Sequence, residues 1–117
     1  MGLAPDTLTF DTGDPVRVAT FWAAALGYDV VFEADDEIAI AKNDHTEPGL
    51  VFVPVPEGKT VKNRLHIDLN PDDQAAEVAR LESLGAKRED IGQGDVRWVV
   101  MADPEGNEFC VLSARDV

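Results

Sequence analysis

Hydrophobic positions along the chain switch twice from strand spacing to helix spacing and back. Residues 7–12 alternate polar and apolar and predict a strand. Asp14-Pro15 then predicts a helix start, because Asp14 can cap free amide groups and proline suits the first helical turn. Val18, Phe21, Trp22, Ala25 and Leu26 recur at helical spacing, and Gly27 supplies a left-handed stop. Three short strands are expected at residues 28–33, 37–42 and 49–54. Asp35-Asp36 serves as a hairpin turn, and Glu47-Pro48-Gly49 as the break before the third of these strands.

The same order returns after the linker-like stretch Pro56-Glu57-Gly58-Lys59. Residues 64–69 alternate cleanly as a strand. Asn70-Pro71 is expected to open a helix, with Asp72 and Asp73 near its positive end. Ala75, Val78, Ala79, Leu81 and Leu84 form its apolar stripe, and Gly85 ends it. Strands are expected at 86–91, 96–102 and 108–113, separated by the turns Gly92-Gln93-Gly94-Asp95 and Asp103-Pro104-Glu105-Gly106-Asn107. Pro15 aligns with Pro71, and Leu26-Gly27 with Leu84-Gly85. The pattern is therefore strand, helix and three strands, twice over. It predicts an α+β fold in which helices cover one face of a mixed sheet and the other face curves around something. A ferredoxin-like repeat leaves the extra strands after each helix unaccounted for. We expect one domain over 1–117, with modules at about 1–56 and 62–117.

Composition narrows the function classes. The chain has 117 residues, 44% of them hydrophobic, which suits one globular domain. No apolar run approaches the roughly 20 residues of a membrane span. The first residues carry no basic region or apolar core, so no secretory signal is expected, and Pro5 and Asp6 depart from a myristoylation pattern at Gly2. The net charge of −13, from 23 acidic and 10 basic residues, repels nucleic acid and anionic membranes. Cys110 is the single cysteine, which excludes an intrachain disulfide and points to a reducing, cytoplasmic setting.

Three stretches carry a family resemblance. Phe21-Trp22-Ala23-Ala24-Ala25-Leu26-Gly27-Tyr28 resembles the end of the first helix in glyoxalase and bleomycin-resistance proteins. Asp103-Pro104-Glu105-Gly106-Asn107-Glu108-Phe109 resembles their turn into the last strand, and Asn63-Arg64-Leu65-His66-Ile67-Asp68-Leu69 resembles the strand opening their second module. Together they span almost the whole chain and mark it as similar to the vicinal oxygen chelate superfamily, glyoxalase-like branch. That resemblance implies two βαβββ modules forming a cup, and often a homodimer. It also implies a divalent metal, held by one side chain from each of four strands, that stabilises a substrate anion.

Carried over residue by residue, the four ligand positions fall unevenly. The first lands on Thr7, a weak ligand, with Thr9 and Asp11 within the register error of a strand end. The second falls in Leu50-Val51-Phe52-Val53, where no side chain is a donor. The third is His66, and the fourth is Cys110, where the family usually has Glu; Glu108 lies two residues earlier on the same face. No metal cofactor is therefore expected; if one is present, His66, Glu108 and Cys110 are its donors. Lactoylglutathione lyase activity is not expected either.

Alternation then assigns faces. Leu65, Ile67 and Leu69 should pack on helices, with Arg64, His66 and Asp68 pointing the other way. Thr7, Thr9 and Asp11 share a face, as do Glu108, Cys110 and Leu112. Which of Trp98/Val100 and Arg97/Val99 turns inward stays open. The expected function is small-molecule binding in the cup through Thr9, Asp11, Arg64, His66, Trp98 and Cys110. The alternative is a lyase, isomerase or dioxygenase working through His66 with Asp68 or Glu108. The bland readings are a structural histidine at His66, an exposed Arg64–Asp68 salt bridge of about 0–1 kcal/mol, a small buried hydrophobe at Cys110, and core packing by Phe21 and Trp22. His45 reads as a solvated loop residue.

Overall fold

A computed structural model of the chain describes residues 2–43 and 48–114. His45 lies outside the described residues. The chain divides into two compact units, Met1–Gly58 and Lys59–Val117.

The first unit runs β1 (Thr7–Thr12), α1 (Pro15–Leu26), β2 (Asp29–Ala34), β3 (Glu37–Ala41) and β4 (Gly49–Pro54). Its sheet has the order β1-β4-β3-β2, with β1 parallel to β4 and the other pairs antiparallel. The caps read from the sequence are in place. The Asp14 carboxylate accepts from the Arg17 N–H at 3.1 Å, Pro15 opens the helix, and Gly27 closes it at φ 69°. Helix α1 packs on β3 and β4. Its Val18, Phe21 and Trp22 are buried with Ile38, Ile40 and Phe52. Phe10 stands 5.1 Å from Phe52 and 6.1 Å from Trp22 between ring centroids, and Phe21 meets Trp22 edge-on. Strand β2 is exposed along its whole length and shifts register between Val30 and Phe32.

The second unit repeats the order with shorter strands: β5 (Asp68–Leu69), α2 (Gln74–Ser83), β6 (Lys87–Arg88), β7 (Val99–Ala102) and β8 (Glu108–Val111). Its sheet has the matching order β5-β8-β7-β6, with β5 parallel to β8. Helix α2 starts three residues later than Asn70-Pro71 predicts. Asp73 is its cap, accepting from the Ala76 N–H at 3.0 Å, and Pro71 is buried ahead of the helix. Gln74 ties this end to the sheet by donating to the carbonyls of Arg97 (2.8 Å) and Val111 (3.1 Å). Of the expected stripe, Val78 and Leu81 are buried, and each contributes about 1.5–3 kcal/mol. Ala75 and Ala79 are exposed, because only one narrow face of this short helix meets the sheet.

The strand expected at 64–69 is regular only at its end. Cys110 N–H donates to the Ile67 carbonyl and Leu112 N–H to the Leu69 carbonyl, and residues 59–67 carry no regular structure. Leu65, expected to pack on a helix, is 69% exposed, since alternation has no meaning outside the ladder. The Asp103-to-Asn107 turn aims β8. The buried Asp103 carboxylate accepts from the N–H groups of Glu105 and Asn107 and from the Asn107 side chain, while Gly106 sits at φ 88°.

Candidate functional site

The register of the second sheet decides which side chains share a face. Asp68 is paired with Cys110, and Cys110 with Val100. Two residues along each strand from these lie Trp98, Glu108 and Leu112, so all six point the same way. This settles the face left open by the sequence: Trp98 and Val100 turn inward. Phe109 and Val111, on the opposite face of β8, are buried in the unit's core.

These side chains line a cavity of about 390 Å³ within the second unit. Ile91 and Gln93 from the loop after β6 and Lys62 and His66 from the irregular segment before β5 complete it. Ile91, Trp98, Val100 and Leu112 make an apolar wall, and Trp98 is 42% exposed.

The polar end centres on Asp68. His66 Nδ1 lies 2.8 Å from Asp68 Oδ1, and because an ionised carboxylate only accepts, the ring nitrogen donates. That fixes the tautomer and leaves Nε2 available. The Cys110 thiol is also hydrogen-bonded to the Asp68 carboxylate. Burial pushes the Cys110 thiol above its ordinary value, the charge and hydrogen bond of Asp68 push it the same way, and Lys62 offsets part of this. Cys110 is thus held as a neutral, buried thiol rather than an activated thiolate.

Glu108 lines the same cavity, but both its oxygens have partners. Oε2 accepts from Lys59 Nζ at 2.7 Å and Oε1 from the Asn63 N–H at 2.7 Å. Burial works to raise the Glu108 pKa; the Lys59 ammonium and the backbone N–H groups outweigh it and hold the carboxyl below its usual range.

His66, Asp68, Trp98, Glu108 and Cys110 therefore meet at one cavity. Arg64 is exposed and lies outside that lining. The ion pair of Asp68 is with His66 and not with Arg64. Thr9 and Asp11 are exposed on β1 of the first unit. Lys62, Ile91 and Gln93 are lining residues that the sequence did not single out: Lys62 falls ahead of the strand expected at 64–69 and Gln93 in an expected turn, and Ile91 closes the strand expected over 86–91, which the structure ends at Arg88. The Gly92-Gln93-Gly94 turn was visible, but not the direction in which it presents its neighbours.

The donor set does not fit the divalent cation that the resemblance implies. Leu50, Val51 and Phe52 on β4 are buried and offer no donor. His66, Asp68 and Cys110 do bring ligand atoms within 4.8 Å of one another. Yet Asp68 already accepts protons from both of its neighbours, and a cation would have to displace them, one from a thiol whose pKa is pushed up. Glu108, the remaining carboxylate, is committed to Lys59 and Asn63.

A family model described as Glyoxalase-like domain matches residues 7–112. No curated protein sequence matches the chain. Solved structures share its fold at low identity. A fosfomycin resistance protein from Mesorhizobium loti is 17% identical at TM-score 0.72, covering 98% of this chain and 94% of that one. An antibiotic-binding protein from Streptomyces sp. CB03234 is 19% identical at TM-score 0.68, covering 98% and 99%. A glyoxalase/bleomycin resistance protein/dioxygenase family enzyme from Burkholderia phytofirmans PsJN is 17% identical at TM-score 0.70, covering 92% and 97%.

Proposed function

Since the chain belongs to the glyoxalase-like domain family, we propose that the cavity of its second module binds a small organic molecule without a chelated divalent metal. The observation that carries this is the pairing of an apolar wall with one polar pole. A volume of about 390 Å³ lies in the range of small-ligand pockets. Trp98 offers a ring face for stacking. His66 Nε2 and the Lys62 ammonium offer hydrogen bonds at the other end. Two solved structures that share the fold, an antibiotic-binding protein and a fosfomycin resistance protein, support ligand binding as a use of this fold. The reading takes the protein as a cytoplasmic homodimer. A single buried cysteine supports a reducing compartment, and an exposed apolar edge at β2 supports a partner copy.

Non-denaturing mass spectrometry of the untagged protein tests it, reading metal, oligomer and retained small molecules together. The expected species is a dimer without metal, and extra mass on it would identify the ligand. A stoichiometric first-row metal would overturn the metal-free reading and make His66, Asp68 and Cys110 its ligands.

The 2.8 Å His66–Asp68 contact favours one second reading. A carboxylate on Nδ1 orients the ring and supports a proton taken up at Nε2, which is the arrangement of a general base. The chain would then be an enzyme of the lyase, isomerase or dioxygenase class. His66→Gln should abolish turnover of a processed ligand while leaving its binding within a few-fold. If turnover persists in this variant, the base is elsewhere.

A further inference from the structure

Glu108 resembles a catalytic carboxylate in sequence, yet its bonds point to a different task. Residues 59–67 form a strap without regular structure, and Lys62 and His66 both reach the cavity from it. Among the described residues nothing periodic holds this segment in place, and the ladder bond that reaches it is at Ile67, whose carbonyl accepts from Cys110 N–H. Upstream, the Glu108 carboxylate holds it twice, through Lys59 Nζ and the Asn63 N–H, both at 2.7 Å. Lys59 Nζ also donates to the Val61 carbonyl at 2.6 Å, which curls the strap between the two anchor points. The lysine stem lies along the turn before β8, its Cδ 3.9 Å from the position a Gly106 Cβ would occupy. The lysine and glutamate side chains are only 19% and 14% exposed, so water competes weakly for these bonds.

We propose that Glu108 is a positioning residue: it latches the strap onto β8 and so holds Lys62 and His66 at the cavity. The charge matters as well as the shape. Asn63 N–H and Lys59 Nζ converge on one carboxylate, and a neutral side chain there would leave the ammonium without its counter-charge in a half-dry site. The latch also explains why β5 is only two residues long. The chain upstream of Ile67 is bound to the Glu108 side chain instead of to the backbone of β8. The consequence for ligand binding rests on the reading of the cavity given above; the latch itself does not.

Hydrogen exchange of the ligand-free protein separates the two. In Glu108→Ala the amide of Asn63, whose N–H the carboxylate accepts, should exchange at least tenfold faster, with Val100 and Met101 of β7 unchanged as evidence of an intact sheet. Lys59→Met, which leaves the Asn63 bond in place, should give an intermediate effect, and Lys59→Arg should restore protection. Exchange that is indifferent to Glu108→Ala and Lys59→Met would overturn the latch. Binding of 8-anilinonaphthalene-1-sulfonate, an aromatic anion, is then titrated in the same proteins. The latch predicts at least tenfold weaker binding in Glu108→Ala and recovery in Lys59→Arg. Faster exchange with unchanged affinity would overturn the positioning of Lys62 and His66. A wild type that does not bind the probe, yet shows the graded exchange, would support the latch and count against the binding cavity.

Discussion

Asp68 lies opposite Cys110 in the parallel pairing of β5 with β8, and its carboxylate accepts from that thiol and from His66 Nδ1. One carboxylate thus orients the ring of one neighbour and pushes up the thiol of the other. Replacing it tests both. In Asp68→Asn the negative charge that raises the thiol is gone, so Cys110 should ionise at lower pH. Alkylation by iodoacetamide at fixed mildly alkaline pH should speed up by on the order of tenfold for each unit that the thiol pKa falls. A rate equal to wild type would mean that burial alone sets the thiol.

The same shift makes a statement about stability. The folded thiol titrates above the ordinary range of a free cysteine, because burial and the Asp68 carboxylate both disfavour its thiolate. A raised acid contributes stability that is complete below the unfolded value and is lost as pH rises through the folded one. Urea midpoints of the wild type should therefore decline above pH 9 more steeply than those of Cys110→Ala.

Glu108 works in the opposite direction. Its folded pKa is held below the ordinary value of a free glutamate. Its contribution is present in full above that value and lost as pH falls through the lower, folded one. Glu108→Gln should cost about 1–2 kcal/mol near neutral pH. The gap between variant and wild type should close in acid. A pH-independent gap would show that shape, not charge, holds the strap.

Trp98 and Trp22 differ enough to be read separately. Trp22 is 1% exposed and Trp98 is 42% exposed. Acrylamide should quench about half of the emission readily, and Trp98→Phe should leave a blue-shifted, quencher-resistant remainder. Binding of an aromatic probe in the cavity should protect Trp98, and Trp98→Ala should weaken that binding by roughly tenfold. Full protection of Trp98 before any ligand is added would place it outside an open cavity.

Asp103 accepts from two backbone N–H groups and one amide side chain while buried. Asp103→Ala leaves those donors without an acceptor and should destabilise by about 2–4 kcal/mol. Because the turn aims β8, the same variant should also expose Cys110 to alkylation. By contrast, Leu65→Ser should stay within about 0.5 kcal/mol of wild type in a urea titration. A large loss there would mean that the strap buries Leu65.

What the sequence made legible follows the strength of local signals. The first module reads almost to the residue, because Asp14, Pro15 and Gly27 punctuate the helix and β4 is a continuous apolar run. In the second module the caps mislead. Asn70-Pro71 looks like the start at Asp14-Pro15, but Asp73 wins the capping position and Gln74 anchors it to the sheet. Alternation grouped His66 with Asp68, and Cys110 with Glu108; the structure brings the ligand atoms of His66, Asp68 and Cys110 within 4.8 Å of one another and exposes Leu65, which alternation puts on a packed face. The reason is the same in each case. A two-fold period describes a chain in a ladder, and residues 59–67 are held by a side chain 45 positions away at Glu108. No local pattern encodes such a long-range bond.

Strand β2 carries Val30, Val31 and Phe32 half exposed at the end of its sheet, while β6, its counterpart in the second module, shows Lys87 and Arg88. One edge shows two adjacent cations, and the other an apolar run of three between the carboxylates of Asp29 and Glu33. In dilute buffer the net charge of −13 keeps molecules apart at long range. Salt shortens that reach to about 10 Å at 0.1 M and less beyond, and acid near the pI of about 4.3 removes it. Concentrated stocks of this protein should therefore keep best at low ionic strength and neutral pH, and a Val31→Lys variant should tolerate the conditions under which the parent turns cloudy.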